Sequence, residues 1–117
     1  MRTGYISING KKHILCFSVR VVRACAERYG AVNGLFEALS ADDEVKALDE
    51  SIWVLSEMMK AGDKYAKEHG LENSAPLGMD ALYDTCDMQD FYNIRSSIIV
   101  TVNNGKRTTI EADNPNA

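Results

Sequence analysis

The sequence predicts a mostly helical α+β domain, an N-terminal β-hairpin followed by four to five helices in a small bundle. Three features lead there. Tyr5 to Ile8 alternates, Asn9-Gly10 turns and Lys11 to Phe17 runs back, and Asn-Gly between strands is the strongest short-range hairpin signal. Everything after Ser18 is punctuated like helices, with capping residues before apolar periodic runs and glycines after them. The chain has 117 residues, enough for one core and no second domain. The globular unit is expected over residues 1–105, with 106–117 as a polar, flexible tail.

In the hairpin, Tyr5 to Ile8 runs out and Lys11 to Phe17 runs back. A two-residue turn puts Ile6, Ile8 and Leu15 on one face, continued by Phe17, with Ser7 and Lys12 on the other. Tyr5 and Ile14 make that second face partly apolar. Two strands alone are marginal in water. The hairpin must therefore lie on the helices or pair with a strand of another chain.

The first helix is expected over Val19 to Tyr29, with Ser18 as N-cap and Gly30 past its end. Val19, Val22, Ala26 and Tyr29 form its buried stripe. Arg20 and Arg28 would be exposed, and Arg23 can pair with Glu27 four residues on. A short helix follows over Val32 to Leu39. Ser40 and Asp42 are cap candidates for the main helix, whose stripe is Val45, Leu48, Ile52, Leu55 and Met59. Trp53 and Met58 widen that stripe. Gly62 bends this helix or admits a neighbour, and Gly70 stops it. A linker rich in breakers spans 72–78. Met79 to Cys86 is a short helix. Asp87 caps the last one, with Asp90 at the third position and Phe91, Ile94, Ile98, Thr101 and Val102 as its stripe. Asn103-Asn104-Gly105 should end it; a second hairpin, Ile98 to Val102 with Arg107 to Glu111, is the alternative there.

Composition narrows the function. No apolar run approaches the roughly 20 residues that cross a bilayer. The N-terminus lacks a signal-peptide pattern, so a cytoplasmic location is expected. Cys16, Cys25 and Cys86 are too few and too far apart for a disulfide framework or a zinc site. Cys25, among alanines and valine, reads as a small buried hydrophobe. Net charge is −4, split into about +5 over residues 1–30 and −9 over the rest. A basic head on an acidic body can steer association or simply neutralise itself. The basic residues are too few, and lack the interleaved aromatics, for a nucleic-acid surface.

Catalytic chemistry is poorly supplied. His13 and His69 have no acid or cysteine at ligand spacing. Asp80, Asp84, Asp87 and Asp90 could attract a divalent cation, but lack the loop pattern of a calcium site. A solvated acidic face explains them. Neither a phosphate-cradling loop nor a nucleophile motif is found. No catalytic, cofactor-binding or metal-binding residue is assigned. Met58-Met59 with Met79 and Met88 either line an adaptable groove or fill the core.

Several segments resemble a known family. Ile8-Asn9-Gly10-Lys11, Leu15-x-Phe17, Arg20-x-x-Arg23, Glu27-x-x-Gly30 and Leu35-Phe36-x-Ala38-Leu39 resemble the start of small tail assembly chaperones of long-tailed phages and prophages of Gram-positive bacteria. Ala61-Gly62-x-x-Tyr65-Ala66 and Gly70 are similar to the middle of that family. The resemblance covers residues 4–100, and its motifs are mostly structural. It implies a non-enzymatic protein that binds the tape measure protein, keeps it soluble, helps recruit tail tube subunits and is absent from the finished particle. Many such proteins also have a longer, frameshifted form; 117 residues match the short one. A structural minor tail or connector component is the alternative. A small metal-dependent enzyme using the acidic face and His69 is a third reading. Partner binding is expected to use Trp53, Met58, Tyr65, Arg20 and Arg23, where not spent in the core, and self-association is expected through the hairpin edge.

Overall fold

A computed structural model describes residues 3–113, with side chains through Gly105. The elements are β1 (Thr3–Ile8), β2 (Lys11–Cys16), α1 (Val19–Tyr29), α2 (Gly34–Leu39), α3 (Glu44–His69), α4 (Met79–Thr85) and α5 (Met88–Asp113). The predicted class holds: one antiparallel hairpin followed by five helices.

Asn9 and Gly10 turn the hairpin at φ 53 and 74. Two consecutive positive values match the right-handed strand twist, which is why Asn-Gly is favoured there. Ile8 pairs with Lys11, Ile6 with His13 and Gly4 with Leu15. Ile6, Ile8 and Leu15 thus share the core face, as the alternation requires, and all are buried. His13 shares that face and is buried with them.

Helix α3 is the axis of the molecule. It packs on β2 and touches each of the other four helices. That explains why Ser51, Ile52, Val54, Leu55, Met58 and Met59 are buried on more than one side. Asp43 caps it, accepting from the Val45 and Lys46 amides at 3.0 and 3.3 Å. The cap lies one residue beyond Asp42. Gly70 closes α3 at φ 64. Gly62 is where α3 meets the hairpin: a Cβ there would collide with the Ile14 carbonyl. Of the two roles foreseen for Gly62, close approach is the one the structure uses.

Strand β1 lies against α5. There Gly4 faces Thr101, and the Asn104 amide donates to the Thr3 carbonyl at 2.9 Å. The predicted stripe of α5 is buried throughout, at Phe91, Ile94, Ile98, Thr101 and Val102. Asp87 caps it as expected, and the structure adds a reciprocal bond from Asp90. The Asp90 amide donates to Asp87 at 2.9 Å, and the Asp87 amide to Asp90 at 3.1 Å.

Three expectations need correction. The α1 stripe is rotated: Val21 and Cys25 are its buried residues, while Val19, at the first helical position, is 79 % exposed. Val45, in the first turn of α3, is 65 % exposed. Helix α5 does not stop at Asn103-Asn104-Gly105 but continues to Asp113, which rules out the second hairpin. Gly105 lacks the positive φ of a helix-terminating glycine. Residues 114–117 of the expected tail lie outside the described residues.

Candidate functional site

Helix α1 runs back along α3. At its C-terminal end the two are fastened together. The Arg28 guanidinium grips the Glu50 carboxylate at 2.6 and 3.0 Å and lies 4.4 Å over the Trp53 ring. Tyr29 meets Trp53 edge-on at 5.9 Å. Hydrogen bonding to Arg28 holds Glu50 below the usual carboxylate range, against the opposing effect of burial. At the other end the helices are unclasped, leaving a groove of about 390 Å³.

One wall is a single stripe of α3, with Glu57, Lys60, Ala61, Lys64, Tyr65 and Glu68 spaced by three and four. The opposite wall is the end of β2 and the first turns of α1, with Cys16, Ser18, Val19, Arg20, Val21 and Ala24. Ser18 starts α1 at this point, its hydroxyl accepting from the Val21 amide at 3.4 Å. Small and apolar side chains make the floor. Val19 is an exposed apolar group on the rim. Three cations and two carboxylates flank it. Lys60 pairs with Glu57 at 3.2 Å. Among the described residues no ion pair involves Arg20 or Lys64.

The groove unites two of the five expected partner-binding residues, Arg20 and Tyr65. Tyr65 is half-buried and stacks on His69, ring centres 4.1 Å apart. Trp53 is occupied by the Arg28–Tyr29 clasp. Arg23 makes the exposed pair with Glu27 at 3.0 Å that its spacing predicts. Met58 is a correction: it is fully buried in the core, where the all-round packing of α3 places it, and offers nothing to a partner. Met59 is also core, whereas Met79 packs partly buried against the core and Met88 is exposed. They do not assemble a methionine groove. Lys60, Ala61 and Lys64 were missed. The signal was present, since Glu57 to Glu68 repeats at helical spacing with a small residue in the middle. It was masked by the stronger apolar stripe on the same helix.

The described residues show little reactive chemistry elsewhere. Burial raises the Cys25 thiol to about 11 and pushes Cys86 up too, so neither is an activated nucleophile. Among the described residues no three His, Cys, Asp or Glu side chains converge to hold a metal. Among them, too, no helix is long and apolar enough to cross a membrane. Comparison with known proteins returned no matching family model, curated relative or solved structure.

Proposed function

We propose that this protein is a non-enzymatic tail assembly chaperone of a phage or prophage. It binds the tape measure protein in the cytoplasm of a bacterial host and helps bring tail tube subunits to it. The observation that carries the reading is the α1–α3 groove, with an apolar floor between Arg20 and Lys64, which make no ion pair among the described residues. An amphipathic helix laid in such a groove buries its apolar stripe and sets flanking carboxylates against Arg20 and Lys64. A chaperone for long apolar helices needs that combination: burial for affinity, charge for orientation and rate. The sequence resemblance supplies the identity of the client.

Co-expression with the very long helical reading frame expected beside its gene tests this. The client should stay soluble with the native protein and precipitate with an Arg20→Glu, Lys64→Glu double variant whose thermal unfolding is unchanged. Equal client solubility with both proteins contradicts the groove. Recovery of the protein in purified phage particles would favour a minor tail or connector component instead.

A further inference from the structure

The two edges of the hairpin are not equivalent. On the outer edge of β2, the Ile14 amide donates to the Asn73 side chain at 2.7 Å, and the Lys12 carbonyl accepts from the Ser74 amide at 3.1 Å. Gly62 of α3 presses on the Ile14 carbonyl. That edge is closed. These bonds also fix which backbone groups point outward. Lys12 and Ile14 face away from β1, so their partners Ser7 and Tyr5 face away from β2. On β1, Asn104 covers the Thr3 carbonyl. The outward amides and carbonyls of Tyr5 and Ser7 make no backbone hydrogen bond within the described chain. They border a cleft of about 410 Å³ between β1 and α5, walled by Asn93, Ser96, Ser97 and Val100.

Apart from Asn104 at Thr3, this edge is unprotected. Residues 3–8 contain no charge, proline or bulge, and residues 96–105 of α5 carry no charge. Tyr5 is 60 % exposed, and Tyr92, Ile99 and Val100 are also exposed on α5.

We propose that β1 pairs with β1 of a second copy, antiparallel about a two-fold axis through Tyr5. The register follows from the outward groups. Tyr5 faces Tyr5 of the other copy and the two exchange amide-to-carbonyl bonds, while Thr3 faces Ser7, whose carbonyl accepts from the Thr3 amide as Asn104 keeps the Thr3 carbonyl, giving a four-stranded sheet in the order β2–β1–β1–β2. A second copy is the occupant for two reasons. An antiparallel strand edge is complementary to itself, so the contact closes at two subunits. Each copy carries −4, and two copies meet with least repulsion on a face that holds no charge, as this one does. Lys12, which lies 4.9 Å over the Tyr5 ring, is on the inner side of each β1 and stays clear of the seam. Ser96 and Ser97 leave room for the incoming strand. The dimer does not depend on the chaperone reading.

Sedimentation of the full chain tests it. The native protein should run at twice its 13.0 kDa at high micromolar concentration. Tyr5→Pro removes the outward amide of the central pair without touching the β2 ladder and should weaken association about tenfold or more, which 1.4 kcal/mol of lost pairing suffices to do. Ser7→Ala should leave it intact. Should Tyr5→Pro unfold, the crosslink decides: Tyr5→Cys in a Cys86→Ser background should form a disulfide-linked dimer, and Val19→Cys should not. A strict monomer overturns the proposal. So does a dimer that survives Tyr5→Pro, or one that fails to crosslink at position 5.

Discussion

Gly62 shows how one residue can be worth more absent than present. In an exposed helix interior, alanine would improve on glycine by about 1 kcal/mol. Here the added methyl meets the Ile14 carbonyl, a backbone atom of a strand held on both sides. Either α3 or β2 must shift. Gly62→Ala should therefore destabilise the protein by about 3 kcal/mol, the scale of overpacking a tight core. A lowered urea midpoint with unchanged slope checks this. An increase in stability would mean that the helix and hairpin do not touch there.

His13 is the second residue whose position has a measurable consequence. It is 2 % exposed, and neither ring nitrogen has a hydrogen-bond partner of good geometry. Burial lowers its pKa below the usual 6.5, and the Lys11 charge lowers it further, while the Ser74 backbone acts the other way. The folded protein thus prefers the neutral ring. Its stabilising contribution is complete above about pH 6.5 and is lost as pH falls through 6.5 towards the lower folded value. The melting temperature should drop over that window, before the carboxylates titrate. In His13→Leu the drop should be smaller. An equal drop in both proteins would place the effect elsewhere. The strand alternation already put His13 on the Ile6–Ile8–Leu15 face. What the sequence did not disclose is that the linker comes back beside this face, where Ser74 to Leu77 and His13 border one cleft.

At the scale of elements, local signals read well and distant contacts did not. Asn9-Gly10, Ser18, Gly30, Asp87 and Gly70 each act on the backbone within a few residues, by a cap bond or a positive φ, so their roles were legible. The stripe of α5 was legible because large apolar residues recur without interruption. The stripe of α1 was not. Small residues such as Ala24, Cys25 and Ala26 fit either side of a helix, and only packing against α3 decides between them. At the expected stop, Asn104 instead stays helical and spends its side-chain amide on the Thr3 carbonyl, a contact from the other end of the chain.

The linker 72–78 is rich in helix and strand breakers, yet it closes one edge of the sheet. Asn73 accepts from the Ile14 amide and donates to Asp63 at 3.4 Å. Asn73→Ala leaves a part-buried amide without a partner, at a cost of about 1–3 kcal/mol. The Ile14 amide should then exchange hydrogen faster, while Leu55 in the middle of α3 keeps its protection. Unchanged exchange at Ile14 would show that the linker does not hold the strand.

For the molecule as a whole, the uneven charge of the sequence has a partial structural explanation. Arg28 and Arg23 are neutralised by Glu50 and Glu27. Lys11 and Lys12 stay exposed on the hairpin, while Arg20 is left on the groove, across from Lys64. The apolar floor and these two cations together support the chaperone reading. Charge-guided binding should weaken as salt rises, because exposed charges are screened over about 10 Å at 0.1 M. The groove itself was only half legible. Arg20 and Tyr65 were picked out, but nothing in the chain said that α1 and α3 would part just where they meet.

Amide chemical-shift mapping of the labelled protein, titrated with an acidic amphipathic helical segment of the tape measure protein, tests the central claim most directly. The account predicts shifts concentrated at residues 18–24 and 57–68, lost in the Arg20→Glu, Lys64→Glu variant. Binding that leaves those residues unmoved, or no binding at all, would contradict it.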